Sequence, residues 1–344
     1  MNRIALFFIT CLFLVITIFS LMWFSTFHPA RKQLEKVYCS PVKPSSLYKQ
    51  GVKVLTWNIQ YLAGKGYHFF YEGGSDGRPE LGEIEKTLSG VVSIILEVDP
   101  DIILLQEVDD GAKRTGSRDQ LDDILSRLPD DYVCHTSSFY WKAKFVPHPK
   151  IMGPVGMKLS VISRYKIEKA IRYQLSLMPQ NFLKQLFYLK RCLLEVHLSD
   201  NRGHSFVILN THLSAFAEKT ETLRRQVEEI TGILKKLDRA DIPWILGGDF
   251  NLQPHEREIK PLLKRYTSVP SLAEIMNNQA GKWYTHFPND PKVNEPKSTI
   301  DYLFCSHDWQ LGRHLVRHDG TLDLSDHLPV VAHFSCPAKG MVPE

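Results

Sequence analysis

The chain has 344 residues, 43% of them apolar and 23% charged, with a net charge of +4. These values exclude a disordered chain and leave one large or two ordinary globular domains, and a charge this mild does not by itself argue for nucleic acid. The charge is unevenly spread, with eleven Lys or Arg and one acid, Glu168, between Tyr140 and Arg191. A polyanion or an anionic membrane surface suits that region as a partner, and so does plain solvent.

In chain order, residues 4–24 come first and carry no charge. At about 1.5 Å per residue such a helix spans roughly 30 Å, the thickness of a bilayer core. Arg3 precedes it and no small-x-small cleavage site follows, so residues 1–24 read as an uncleaved signal anchor, a single-pass membrane span. The expected orientation places the globular part on the extracytoplasmic side, although Arg31, Lys32 and Lys36 beyond the helix outnumber Arg3 before it. Residues 25–50 read as a juxtamembrane linker, 51–336 as one globular domain and 337–344 as a tail. Strands are expected at 53–60, 101–107, 158–164, 192–197, 205–213, 243–246, 299–305 and 329–334. Helical spacing over 81–98 puts Ile84, Leu88, Val91, Val92 and Ile95 on one face. Further helices are expected at 118–128 and within 217–237. The pattern suits two packed sheets flanked by helices, an α/β sandwich.

Two segments, 61–80 and 139–154, read as long loops rich in aromatic residues: Tyr61, Tyr67, Phe69, Phe70 and Tyr71 in one, Phe139, Tyr140, Trp141 and Phe145 in the other. Such loops suit a membrane interface or base stacking, or they fold over clusters of their own. The six cysteines have no zinc-type spacing. Cys192 and Cys305 fall in core-like strands, while Cys39, Cys134 and Cys336 are open to pairing.

The chemistry-bearing residues stand at strand ends. One apolar strand ends in Asn58, another in Glu107, another in Asn210-Thr-His212. Trp244-Ile-Leu-Gly-Gly-Asp-Phe-Asn251 delivers Asp249 and Asn251, which on extended backbone share a face. Asp301 opens an apolar strand, and Asp326-His327 stands just before another. Each alone has an ordinary structural reading: a turn residue, a helix-start acid, a satisfied core histidine. Six such ends in one domain are harder to explain that way, because burying charges without partners costs several kcal/mol each. A hard divalent cation accounts for Glu107, Asp326, Asn58 and Asp249 together, since these are oxygen donors without a thiolate. That donor set suits Mg²⁺, with Mn²⁺ as the alternative, and Mg²⁺ implies a phosphoester substrate. An Asp/His pair from Asp301 and the two histidines would handle the proton during in-line attack by water on phosphorus.

In this order, Trp57-Asn58, Gln106-Glu107, Asn210-Thr-His212, Gly248-Asp-Phe-Asn251, Thr299-Ile-Asp301-Tyr and Ser325-Asp-His-Leu-Pro329 resemble the motifs of the endonuclease/exonuclease/phosphatase (DNase I-like) superfamily. The resemblance implies a four-layer α/β sandwich and a metal-dependent phosphodiesterase or related hydrolase. By position it implies Glu107 as principal metal ligand, assisted by Asn58 and Asp326. It makes Asp249 and Asn251 the residues that orient water and hold phosphate. His327, oriented by Asp301, would be a base or phosphate-stabilising group, and His212 a phosphate contact or general acid. Arg164 and Tyr165, in a Ser-Arg-Tyr strand, would lie near the substrate phosphate. With the anchor, the aromatic loops and the basic middle, the chain is nearest in character to sphingomyelinase-like or GPI-lipid-remodelling-like phosphodiesterases, with a phospholipid head group as substrate. A membrane-tethered nuclease acting on DNA or RNA and a catalytically idle binding domain are the alternatives. No obligate protein partner is inferred.

Overall fold

Apolar runs with period-2 alternation build two seven-stranded sheets. The structure, a computed structural model, describes residues 3–45, 51–70, 74–201, 203–215, 217, 220–277, 280–288 and 293–335. Cys336, Tyr71 and the tail 337–344 therefore lie outside the described residues.

Helix α1 (Arg3–Ser25) leads into short strands β1 (Lys32–Glu35) and β2 (Val37–Cys39), then β3 (Val52–Asn58). Helix α2 (Leu81–Val98), β4 (Ile102–Asp109), α3 (Gln120–Leu125) and the hairpin β5 (Cys134–Val146) and β6 (Gly153–Ser163) follow. Next come β7 (Lys166–Gln174), α4 (Phe182–Phe187), β8 (Cys192–Ser199), β9 (Ser205–His212) and α5 (Thr222–Arg239). The chain then forms β10 (Trp244–Asp249), α6 (Lys260–Arg265), β11 (Thr267–Val269) and α7 (Leu272–Met276). It closes with β12 (Asp301–Cys305), β13 (Gln310–Val316) and β14 (Val330–Ser335).

One sheet has the order β13-β14-β3-β4-β6-β5-β2 and the other β1-β7-β8-β9-β10-β12-β11. Parallel pairs β3/β4 and β9/β10 lie near the middle of each. Alternation decides the layers. Val54, Leu104, Ile208 and Ile245 point between the sheets, while Leu55, Ile103 and Leu105 point outward to Ile84, Leu88, Val91 and Ile95 of α2. On the far side Leu223, Val227, Ile230 and Leu234 of α5 cover Val207, Leu209 and Leu246. The result is the expected four-layer sandwich. Gly247 marks how closely the sheets approach there, because a Cβ would meet Leu104 Cδ1 at 2.7 Å and Leu303 Cδ2 at 2.8 Å.

A polar bolt crosses the apolar interior. Gln106 Nε2 donates to Thr56 Oγ1 (3.0 Å) and Asn210 Oδ1 (2.8 Å), and Asn210 Nδ2 donates to Leu105 O and Ser160 O (both 3.0 Å). Two of the motif amides thus hold the sheets together rather than facing solvent. Asn210→Leu strands these partners, so we expect a loss of roughly 2–4 kcal/mol in urea unfolding, as for other broken buried networks.

Several expectations change. Residues 25–50 are more than a linker: β1 pairs with β7 and β2 with β5, so residues 32–39 edge both sheets, and Cys39 is disulfide-bonded to Cys134. Segment 139–154 is mostly the β5–β6 hairpin, not a loop. Tyr140 is fully buried, and Phe145 is exposed near the hairpin tip. Tyr61, Tyr67 and Phe69 are buried around Arg114, whose guanidinium lies 3.5 Å from the Tyr61 ring and is paired with Asp109 at 2.7 Å. That loop folds over its own cluster. Cys192 and Cys305 are buried, as expected. Helix α1 has no buried residue. It is long and apolar enough to cross a membrane, a test that a signal sequence also meets.

Candidate active site

At the ends of β3, β4, β9, β10 and β12 the two sheets open into a cleft of about 640 Å³. Asn58, Glu107, His212, Asp249, Asn251, Asp326 and His327 all line it, while Asp301 stands behind His327.

Local backbone aims these side chains. A bulge between Leu105 and Val108 breaks the β4–β6 register, and Glu107 sits on it at φ 55°. A left-handed non-glycine residue there is strained, and the twist turns the carboxylate out of the sheet into the cleft. Strand β10 runs through both glycines to Asp249. At Gly248, φ is 146° and a Cβ would lie 2.0 Å from Thr211 O, so only glycine fits beside β9. Asn251 does not follow on extended backbone as expected. It is left-handed at φ 50°, which lets its N–H donate to Asp249 Oδ1 at 2.8 Å. The 325–327 turn is tied to β3, where Trp57 Nε1 donates to His327 O (2.9 Å) and Ser325 Oγ to Asn58 O (2.8 Å).

Asp249 is the hub. Its Oδ2 accepts from Asn58 Nδ2 at 3.1 Å and lies 3.3 Å from His212 Nε2 and 3.7 Å from His327 Nε2. His327 Nδ1 meets Asp301 Oδ2 at 2.9 Å. Burial pushes the Asp249 carboxyl up to about 6, against the pull of His327. For His327, burial alone would favour the neutral ring, but Asp301, Asp249 and Asp326 outweigh it and hold the imidazolium well above its ordinary range. His212 goes the other way: burial, then the charges of Arg191 and His327, keep it well below. The surroundings thus favour the cation at one histidine and the neutral ring at the other, which separates their chemistry. A neutral His212 still carries one N–H, which suits a phosphate contact.

Glu107 and Asp326 could hold a cation. Burial, reinforced by the charge of Asp326, pushes Glu107 up to about 7, and burial also raises Asp326. Two desolvated carboxylates opposing one another fit a site for a divalent ion. The ligand atoms of His286, Asp326 and His327 lie within 4.8 Å of one another, as do those of Asp249, Asp301 and His327. Asn58 Oδ1 accepts from Gln60 N–H at 3.1 Å, so one lone pair of that oxygen is left for a metal.

A family model described as Endonuclease/Exonuclease/phosphatase matches residues 55–327, a span that encloses every group at this cleft. The chain belongs to this family. Its members are metal-dependent hydrolases of phosphoester bonds. None of the curated proteins matches the chain significantly. Among solved structures it is similar to an endonuclease/exonuclease/phosphatase from Beutenbergia cavernae (21% identity, 84% of this chain and 72% of that one, TM-score 0.59). It is also similar to the human Nocturnin catalytic domain with bound sulfate (21%, 88% and 97%, TM-score 0.56). A third is a mannosyl-6-phosphatase of Bacteroides thetaiotaomicron (18%, 82% and 99%, TM-score 0.52). At these identities the likeness is one of fold.

Arg164 and Tyr165 are not at the site. The register pairs Ser163 with Ile102, which puts Arg164 at the opposite end of β4 from Glu107, roughly 20 Å away at the rise of a strand. Arg164 pairs with Asp99 and Asp131 and lies over Tyr132, and Tyr165 packs on Phe206. Sequence reasoning missed three cleft groups. His286 lies 4.6 Å from His327 with the rings tilted at 54°, and its Nδ1 is 3.1 Å from Ser298 Oγ. Tyr140 Oη accepts from Glu107 N–H (3.2 Å) and lies 3.4 Å from His212 Nδ1. Arg191 lines the cleft beside an apolar wall of Met178, Phe187, Tyr188 and Leu189. His286 stands in no periodic segment, and Arg191 was diluted in a run of basic residues.

Proposed function

We propose that this chain is a Mg²⁺-dependent phosphodiesterase that cleaves a P–O bond of a membrane phospholipid head group, with Mn²⁺ as a substitute metal. One observation carries the lipid reading. The cleft pairs a floor of acids and histidines with an apolar wall formed by the segment between β7 and β8, and the outer face of that segment meets the apolar helix: Phe182 of α4 stacks on Phe19 of α1 at 5.7 Å. A bilayer-borne substrate would meet both surfaces at once. The Thr26–Ala143 bridge sets the hairpin that carries Lys142 and Lys144 at the foot of α1, where anionic lipid would attract it. The Cys39–Cys134 disulfide supports an extracytoplasmic domain.

In this reading Glu107 and Asp326, with the free lone pair of Asn58 Oδ1, would hold the cation, which when bound neutralises charge on the phosphate oxygens. Asp249, held by Asn58 and the Asn251 N–H, takes a proton from the attacking water as its oxygen bonds to phosphorus. The His327 imidazolium, fixed by Asp301, donates toward the phosphate or the departing ester oxygen. Neutral His212 and Asn251 hold the phosphate.

The test uses full-length protein, phospholipid vesicles and plasmid DNA with Mg²⁺. Release of phosphorylated head group without DNA nicking is expected; nicking alone would assign a nuclease and overturn this reading. A pH effect also follows. Below about pH 7 the Glu107 carboxyl binds a proton that the metal must displace, so apparent Mg²⁺ affinity falls by up to about tenfold per pH unit. The rise in Tm on adding Mg²⁺ should therefore grow from pH 6 to pH 8; an equal rise at both would contradict this metal site.

A further inference from the structure

Among the described residues, Arg191 is a buried cation in the cleft without an ion pair or a hydrogen bond to its guanidinium. It is only 5% exposed, and its Nε and Nη1 are buried with no hydrogen-bond partner. It borders the cleft, and its charge is felt at both Glu107 and His212. The side chain is well placed by its surroundings. Arg191 O accepts from Leu175 N–H (3.0 Å) and Gln174 Nε2 (2.9 Å), and the guanidinium lies 4.9 Å from the Tyr140 ring. Tyr140 in turn touches Glu107 and His212 through its hydroxyl.

The neighbouring buried cations are different. Arg172 donates to Phe139 O, Gln174 Oε1 and Lys190 O. Lys190 Nζ donates to the carbonyls of Gln185, Leu186 and Tyr188 at the end of α4. Those two bind the fold together. Arg191 makes no comparable hydrogen bonds among the described residues, and a guanidinium buried with unsatisfied N–H groups is unfavourable unless something pairs with them. Its planar fork matches the oxygens of a phosphate.

We propose that Arg191 is an anion-binding residue of the cleft, gripping the negatively charged oxygens of a phosphoryl group from the side of the apolar wall. The inference rests on the reading of this cleft as the phosphoester site, but not on the substrate being a lipid. It places the phosphate between the acid and histidine floor and Arg191, with the ester group that leaves directed along Met178, Phe187 and Leu189.

The probe is inorganic phosphate, added to full-length protein in detergent with EDTA so that no metal contributes. Phosphate should raise the Tm of the wild type. In Arg191→Met the affinity for phosphate should fall at least about tenfold, the scale of lost hydrogen bonds to a charged group. Without phosphate the variant should unfold at the same temperature or higher, because the buried guanidinium N–H groups make no hydrogen bonds in the free protein. A purely structural arginine would give the reverse, a lower Tm with phosphate binding intact, and either of those results overturns the proposal. Should Arg191→Met not fold, Arg191→Gln carries the same expectation for phosphate. Phosphate binding that depends on Arg191, alongside vesicles left intact, would reject the lipid substrate and leave this assignment standing.

Discussion

Asp249→Asn is expected to lower phosphoester hydrolysis by at least about 10²-fold, the usual scale for a lost acid–base group, while leaving the fold in place. The asparagine keeps the shape of the side chain and an oxygen for the Asn251 N–H. What it removes is the charge that faces both imidazoles. A second effect separates this from general damage. Asp249 is one of three carboxylates that keep His327 protonated, so in the variant His327 loses its proton at lower pH and the alkaline limb of the rate profile moves down. His327→Ala should cost a similar factor. Initial rates from pH 5 to pH 9, with Tm as a check on folding, decide the matter; full activity in both variants would contradict the roles given to these residues.

Glu107→Gln is expected to be as damaging by another route. The carboxylate on the β4 bulge is desolvated and opposed by Asp326, so its charge destabilises the metal-free protein. Removing the charge should leave the Tm in EDTA unchanged or higher. The gain in Tm on adding Mg²⁺ should then shrink or vanish, and hydrolysis at moderate Mg²⁺ should fall at least about 10²-fold, because the ion has lost a charged ligand. Thermal unfolding with and without Mg²⁺ reads both effects in one experiment. A variant that keeps the wild-type response to Mg²⁺ would place the ion elsewhere.

Much of the fold was legible because the central elements obey simple periods. The 3.6-residue spacing of Ile84, Leu88, Val91 and Ile95 gave α2 its bounds, and the continuous apolar runs gave β3, β4, β8, β9 and β10. Their strand ends gave most of the cleft, since Glu107, His212 and Asp249 interrupt an apolar pattern with a charge or an imidazole. The edges were not legible. Strands β1 and β2 are short and half-exposed, and their composition is that of a linker; only pairing with β7 and β5 makes them strands. Residues 139–154 looked like a loop because prolines and lysines hide the alternation that buries Tyr140. Arg164 shows the opposite error. Its motif was recognisable, but only the β4–β6 register reveals which end of the sheet it occupies. His286 reaches the cleft through an isolated bridge to Ser298 and His327, a tertiary contact without local signature.

The most direct test of the central claim is a crystal of the full-length protein soaked in Mn²⁺, with data collected at the manganese edge. An anomalous peak between the Glu107 and Asp326 carboxylates, within reach of the cleft face of Asn58, is the expected result. A peak confined to other acidic residues, or Glu107 and Asp326 both free of metal at saturating Mn²⁺, would contradict it.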